Sequence, residues 1–341
     1  MAATMSDVAR AAGVSVKTVS NFFNGYPYMR DGTRARIEAA VAELGYRMNA
    51  SARSLRSGRS RMIALVIPEL DSAYLAPLAQ DVIDAADELG LSVLVETTAG
   101  RRDREIGALS GLHRQVLDGV IYEPLALHQE DVGSIDPGMP LVMIGQRFLE
   151  GLADQVLIAD RDAAHAAVAH LVATGRRRVA LIGARDAGEP AGSALRLRGA
   201  EEALTAAGIV PDPRLRADPG PWRREGGAAA TARLLDEGVA FDAVFGFNDS
   251  IALGAQWMLQ ERGLRVPEDV AVAGLDDTAD SRFAQPPLTT VSPGRRAIAR
   301  RAVAMLAERI EHGAEAGPFR SETMGFELIV RGSTVPRGGA G

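Results

Sequence analysis

Apolar residues recur at helical spacing from the start of the chain. Met5, Val8, Ala9 and Ala12 fall on one face, Gly13 breaks the run, and Ser15 stands where a capping hydroxyl would open a second helix from Val16 to Phe23. In that second helix Val19, Phe22 and Phe23 share an inward face with Val14 before them, while Val16, Lys17, Ser20 and Asn21 lie together on the other side. A third amphipathic helix is predicted from Thr33 to Leu44, with Ile37, Ala40, Val41 and Leu44 inward. Two short helices across a tight Gly turn, buttressed by a third, make a helix-turn-helix whose outer face suits a DNA major groove. A three-helix protein-interaction module with a merely solvated face has the same pattern.

Beyond Arg61 the period changes. Short β-branched runs alternate with helical stretches: Met62 to Ile67 then Ala76 to Leu89, Leu91 to Glu96 then Arg104 to Leu117, then Gly119 to Tyr122. After runs at Leu141 to Ile144 and Gln155 to Ile158 the pattern restarts, with helices at Asp162 to Ala173, Leu195 to Ala207, Gly226 to Glu237 and Ser250 to Arg262 and strands at Val179 to Ile182, Ala243 to Phe247 and Val270 to Gly274. Repeated βα units argue parallel sheets with helices on both faces, and the restart argues two lobes. The segment Pro286 to Val291 and a helix from Arg295 to Ile310 would return the chain to the first lobe. Ligands in such sheets bind at the carboxyl ends of strands, so a cleft between the lobes is the default site.

Charge sharpens this division. Met1 to Arg61 holds 10 Lys+Arg against 4 Asp+Glu, whereas the remainder holds 28 against 40. A basic head on an acidic body points to nucleic acid, which the overall charge of -6 conceals. Between them runs Asn49-Ala50-Ser51-Ala52-Arg53-Ser54-Leu55-Arg56-Ser57-Gly58, in which Asn49 can cap a helix, Ala52 and Leu55 share a face and Gly58 can end it. So short a helix orders only when something packs on it, and a basic helix with one apolar wedge suits a minor groove. A solvated Arg/Ser linker is the alternative.

The head resembles the DNA-binding head of the LacI/GalR family of transcriptional regulators. The resemblance is carried by Ser6 to Ser20 (SDVARAAGVSVKTVS), Asn24-Gly25, Thr33-Arg34-Ala35-Arg36-Ile37, Ala42-Glu43-Leu44-Gly45-Tyr46 and the joint. It implies that the second helix reads the major groove through Val16, Lys17, Ser20 and Asn21, and that the joint folds as a hinge helix with Arg53 beside Leu55, the residue that wedges into the centre of a palindromic operator. Asn21 stands where the family usually has an arginine, and Arg30 where it usually has the Ser cap of the third helix.

The body is similar to that family's effector domain in Ala194 to Gly199, Phe245 to Gly254, Val266 to Asp277 and Leu328 to Thr334. The fold implied is an α/β two-lobed periplasmic-binding-protein-like effector domain with an N-terminal all-α helix-turn-helix DNA-binding domain. The resemblance assigns 1–48 to the head, 49–58 to the hinge helix and 61–336 to effector binding and dimerisation, with a first lobe of about 61–160 and 291–320 and a second of about 161–290 and 321–336. By motif the ligand-binding arginine, asparagine and aspartate fall on Arg196, Asn248 and Asp276. More loosely, Tyr74, the polar pair Gln146 and Arg147, and the aromatic Trp222 join them. Donors and acceptors at strand ends suit a hydroxyl-rich ligand, and an indole can stack on a sugar face. Each also has a plainer reading: Arg196 on the surface, Asn248 and Asp249 as helix caps, Asp276-Asp277 as a turn, Trp222 as core. For Asp249 the cap is preferred.

The sequence has no cysteine, no apolar run of about 18 residues and no signal-peptide pattern, so the expectation is a cytoplasmic protein without a membrane span. It carries no Walker A loop, no GxGxxG after the first strand, no HExxH and no GxSxG, and His165 and His170 lie five apart, too far round a helix for a joint metal face. No catalytic residue, metal or cofactor is nominated. The function implied is a ligand-responsive regulator, with repression as the implied sign, acting as a homodimer on palindromic operator DNA with a small carbohydrate-like effector. A solute-binding protein of sugar transport is the competing reading. If the joint is a DNA-ordered hinge, Leu55→Ala should weaken operator binding by footprinting while calorimetric ligand binding is unchanged; wild-type operator affinity would make the segment a linker.

Overall fold

Helices α1 (Met5–Ala12), α2 (Val16–Phe23) and α3 (Asp31–Leu44) form the head in the computed structural model, which describes residues 3–23, 26–46, 59–110, 116–136, 138–184 and 191–335. Thr4 and Asp7 form a reciprocal capping box at the start of α1, and Gly13, at φ 63°, ends it in the left-handed conformation that glycine adopts without a Cβ penalty. The Ser15 hydroxyl accepts from the Thr18 amide at 3.1 Å, as its position before α2 predicts. Arg30 precedes α3 and offers no side-chain cap. The buried core is small: Val8, Ala9, Ala12, Val19, Ile37, Ala40 and Tyr46. Two expectations are corrected here. Phe22 and Phe23 are only half-buried at the edge of this core, stacked edge-on to each other at 5.2 Å, and Leu44 is exposed because Tyr46, folded back beyond Gly45, takes the inward place.

Met1–Arg61 and Met62–Gly341 are separate compact units. The joint, with Arg53 and Leu55, lies outside the described residues.

Within the body the described residues form two sheets of six strands each. The first contains β1 (Met62–Ile67), β2 (Ser92–Thr97), β3 (Gly119–Tyr122), β4 (Leu141–Gly145), β5 (Asp154–Leu157) and, at its far edge, β11 (Ser321–Thr323), in the order β11-β5-β4-β3-β1-β2. The second contains β6 (Val179–Ile182), β7 (Arg216–Ala217), β8 (Ala243–Gly246), β9 (Ala271–Leu275), β10 (Thr289–Ser292) and β12 (Glu327–Ile329), in the order β12-β10-β9-β8-β6-β7. Every pairing is parallel except β10 with β12. In each sheet the winding reverses beside the first strand, between β1 and β3 and between β6 and β8, which opens a crevice at the carboxyl ends of the strands.

Helix α4 (Leu75–Asp87) covers one face of the first sheet, and α5 (Arg102–Ser110) follows β2. Helices α6 (Asp160–Ala173), α7 (Ala191–Ala206), α8 (Arg224–Asp236) and α9 (Asp249–Glu261) belong to the second lobe, as does the short α10 (Ala279–Phe283). The long α11 (Arg295–His312) returns to the first, where Ile298, Ala302, Val303 and Leu306 join Ile63, Leu65, Leu78 and Val82 in one core. Strand β11 also belongs to the first sheet, so the last passage between lobes falls after Thr323 and not at 321 as anticipated.

The returning helix is fixed by a buried ion pair. Asp154 on β5 is fully buried and accepts from Arg309 Nε and Nη2, both at 2.8 Å, and from the Arg320 amide at 2.7 Å. Burial pushes the Asp154 carboxyl up, but these hydrogen bonds outweigh it and hold the group below the usual carboxylate range. Arg320 Nη2 also reaches Asp154 at 3.2 Å, so removing Arg309 takes away the bidentate partner and leaves a weaker one, at a cost of up to about 3–5 kcal/mol. Arg309→Ala should lower unfolding stability by that order in urea, whereas Glu88→Ala, at an exposed pair with Arg300, should cost about 0–1 kcal/mol.

Candidate functional site

In the head, Lys17 is exposed on α2 and Ser20 and Asn21 are half-exposed beside it, but Val16 packs partly onto the head core. The outer face is therefore narrower than the sequence suggested. Tyr28 and Tyr26, in the connection between α2 and α3, are exposed and stack edge-on at 5.7 Å. Sequence reasoning passed over them because aromatic residues in a short loop have no period.

In the body, polar side chains gather at the strand ends of both lobes around one buried guanidinium. Arg196 on α7 is 2 % exposed. Its Nε donates to Asp160 Oδ1, at the first residue of α6, at 2.6 Å, and its Nη1 donates to the carbonyl of Phe247 just beyond β8. Its charged carbon stands 5.5 Å from the Trp222 ring, which meets Phe247 edge-on at 6.3 Å. Gly183, at the end of β6, allows this packing, since a Cβ there would run into the Phe247 side chain. The surface reading of Arg196 is thereby overturned.

Asn248 is the N-cap of α9: its Oδ1 accepts from the Ile251 amide at 2.8 Å and its Nδ2 donates to the Trp222 carbonyl at 3.2 Å. Asp249 is not that cap. Fully buried, it accepts from Thr278 N at 2.8 Å, Ser281 Oγ at 2.6 Å and Thr290 Oγ1 at 2.5 Å, tying α9 to the segments after β9 and into β10. Asp276, directly after β9, has φ 129° and Asp277 has φ 51°, conformations that cost a non-glycine residue energy and persist where the surroundings impose them. Arg331 Nη2 holds Asp277 at 2.6 Å.

The first lobe contributes groups from the start of α4 and from its strand ends. Tyr74, buried at the start of α4, has a hydroxyl with no partner. Glu123 follows β3 and leans over Gly145, where a Cβ would lie 3.1 Å from its Cγ; one of its carboxylate oxygens is buried without a partner, as is Asp160 Oδ2. Gln146 lies against Gly192 of the second lobe, so closely that a Cβ there could not fit. Arg147 is placed elsewhere: Nε donates to the Leu125 carbonyl at 3.0 Å and Nη1 lies 3.5 Å from His128 Nδ1, with Glu105 and Tyr122 as its charge neighbours. The anticipated pair is therefore split. At the rim, Arg223, next to Trp222, binds Glu69 at 2.7 Å and Asp71 at 2.8 and 3.0 Å, linking the lobes by an exposed network.

These carboxyls titrate abnormally. Burial pushes Glu123 up to about 8, with Asp160 adding to the rise and Arg196 opposing it. Asp160 and Asp276 are both raised, chiefly by burial. Arg196 would be lowered by burial, but the charges of Asp160 and Asp276 outweigh it. Sequence reading found neither Glu123 nor Asp160, although both sit where they would be looked for, at or just beyond strand ends on the crevice side.

A DNA-reading head joined to a two-lobed ligand-binding body defines a class of ligand-responsive transcriptional regulator. Residues 4–49 match the model of the bacterial regulatory proteins of the lacI family, and residues 168–334 match the periplasmic binding protein-like domain. The chain is 32% identical over 296 residues to the HTH-type transcriptional regulator DegA of Bacillus subtilis (strain 168), covering 86% of this chain and 87% of that one. Among solved structures it is similar to the lac repressor dimer bound to operator and the anti-inducer ONPF, at TM-score 0.83 and 29% identity over 98% of this chain and 99% of that one. It is also similar to a complex of the transcriptional regulator CelR with cellobiose, at TM-score 0.70 and 31% identity over 97% and 99%. The chain belongs to the LacI family of transcriptional regulators. The transport reading is set aside by the match of the head. No helix among the described residues is long and apolar enough to cross a membrane.

Glu123 yields a pH prediction. Its folded value of about 8 lies above the ordinary 4.5, so between these values the folded protein holds a proton that the unfolded chain has lost. Its contribution to stability is present below about pH 4.5 and is lost as pH rises to about 8, by roughly 3–5 kcal/mol at most. Urea unfolding of wild type and Glu123→Gln across that window should show a steeper decline in the former and a shallower one in the latter, where Asp160 and Asp276, raised in the same direction, still contribute.

Proposed function

We propose that this chain is a cytoplasmic, homodimeric repressor that binds a palindromic operator and whose DNA affinity is set by a sugar or sugar-like effector held between the lobes of the body. The observation that carries the reading is the crevice around Arg196, where Asp160 Oδ2, Glu123 Oε2 and the Tyr74 hydroxyl are buried with no partner inside the protein. Buried polar atoms without partners are costly, and a hydroxyl-rich ligand supplies the missing donors and acceptors. Trp222, held in place by Arg196 and Phe247, offers the apolar face on which a sugar ring stacks. The cellobiose complex and the operator-bound dimer of similar proteins support the ligand class and the assembly. The chain acts by binding and not by catalysis.

Tyr74, Gln146, Arg196, Trp222, Asn248 and Asp276 are the effector residues of this reading. Asn248 acts chiefly through the turn it caps, and Arg147 supports the first-lobe loop at Leu125. Lys17 and Asn21 read base edges, with Asn21 suited to adenine and Lys17 to guanine, and Ser20 and Val16 flank them. Leu55 and Arg53 act at the centre of the operator. The effector shifts operator affinity only by as much as its own affinity differs between lobe arrangements, about 1–3 kcal/mol on the usual scale.

Two variants test the halves separately. Lys17→Ala or Asn21→Ala should cost roughly 1–3 kcal/mol and relax preference at one operator position, whereas equal weakening on all sequences would mark a phosphate contact. Asp276→Asn should abolish the thermal shift given by a sugar that raises the wild-type midpoint, while electrophoretic operator binding persists and no longer responds to that sugar.

A further inference from the structure

The contacts that bridge the lobes over the crevice differ in kind. The Gln146 carboxamide lies against Gly192, a fit without charge. The other is ionic: Arg223 forks Asp71 through Nη1 at 2.8 Å and Nη2 at 3.0 Å, and Nη2 also donates to Glu69 at 2.7 Å. Topology decides where this ionic contact stands. The chain passes between the lobes after β5, after β10 and after β11, and these strands, with β12, occupy the two places at one edge of each sheet. Arg223 comes instead from the loop after β7, the opposite edge of the second sheet, and Glu69 and Asp71 come from the loop after β1, next to the opposite edge of the first. Three strand spacings separate β5 from β1 and four separate β10 from β7, which sets the link ~14–19 Å across the sheets from the crossings. Along the chain it is flanked by Trp222 on one side and Tyr74 on the other, and both are more buried than the link itself. The ionic contact is therefore the outer layer over these two crevice residues, on the side where any rotation about the crossings separates the lobes most.

We propose that Arg223, Glu69 and Asp71 are gating residues of the effector site: an electrostatic gate at the mouth of the crevice, remote from the crossings, that must part for a ligand to enter or leave. This rests on the crevice being the effector site. The side chains of Arg223, Glu69 and Asp71 are 46 %, 44 % and 68 % exposed, so the link is solvated, parts readily and is screened by salt. The contact of Gln146 with Gly192 carries no charge, so salt acts on the gate and not on that fit. A link made outside the ligand's own contacts holds the empty and the filled crevice alike. It slows entry and release together, and leaves their ratio, the affinity, nearly unchanged.

The chain has two tryptophans, so with Trp257→Phe as the background Trp222 alone reports from the crevice wall. The test is quenching of its fluorescence by acrylamide, a small neutral polar molecule, in the full chain at about 50 mM and about 1 M NaCl. Glu69→Gln with Asp71→Asn removes the charges from the first lobe and leaves every residue beside Trp222 as it was. The expected result is a quenching constant about twofold or more higher in this neutralised variant at low salt, a comparable rise when salt is added to the background protein, and a salt response below about 1.2-fold in the variant. Arg223→Asp with Asp71→Arg, which restores the pairing in reverse, should return the low-salt constant to the background value. Melting midpoints report folding, and if Trp257→Phe lowers its own, the chain with both tryptophans gives the same comparison with its quenching resolved into two components. An unchanged constant in the neutralised variant, or a salt response in it as large as in the background, would overturn the gate. So would a rise that the charge swap does not reverse, since that is general loosening. None of these outcomes touches the effector reading, which stands or falls on the loss of the sugar-induced midpoint shift in Asp276→Asn.

Discussion

The second lobe is organised around the desolvated charge of Arg196. A guanidinium at 2 % exposure persists only if its donors are taken up, and the chain supplies them from distant points: a carboxylate at the start of α6 and a carbonyl at the end of β8. Trp222, from the loop before α8, closes over it. Three strand-to-helix connections are thereby set against one another at the carboxyl ends of the sheet. The glycine at 183 is one consequence, since the Phe247 side chain occupies the space any larger residue would need. The fixed orientation of Asn248 is another, with its amide spent on Trp222 and Ile251.

What the sequence displayed of this arrangement followed period and burial. Strands β1, β3 and β6 fall where short β-branched runs place them, because each is buried along nearly its whole length and its residues can be little else. The edge strands β7, β11 and β12 and the short α10 were not legible, since two to five residues carry no period and their pairing is decided by what lies beside them. The same limit explains the lobe boundary, which depends on the pairing of Ser321–Thr323 with β5 and not on any local signal.

For the site, motif placed Arg196, Asn248 and Asp276, and more loosely Trp222, in one region, and Tyr74 comes to them from the other lobe. The neighbours Gln146 and Arg147 were read as a pair, but successive residues beyond a strand end point apart, and only Gln146 reaches the second lobe. Glu123 and Asp160 escaped notice for a related reason. An acidic residue is surface in most sequences, and only the fold shows that each of these keeps one carboxylate oxygen buried without a partner.

The same feature that makes the crevice costly when empty makes it able to transmit. Groups from both lobes contribute unpaired oxygens, so a ligand satisfying all of them must hold the lobes in one relation, and a ligand satisfying those of one lobe alone would bind without consequence. The exposed Arg223 network at the rim is worth little by itself, since each carboxylate it holds is also well solvated. Its contribution is a weak, exposed link between the lobes. A stronger rim would hold the lobes together with the crevice empty, and the difference in ligand affinity between arrangements, the only quantity that can reach the DNA, would shrink accordingly.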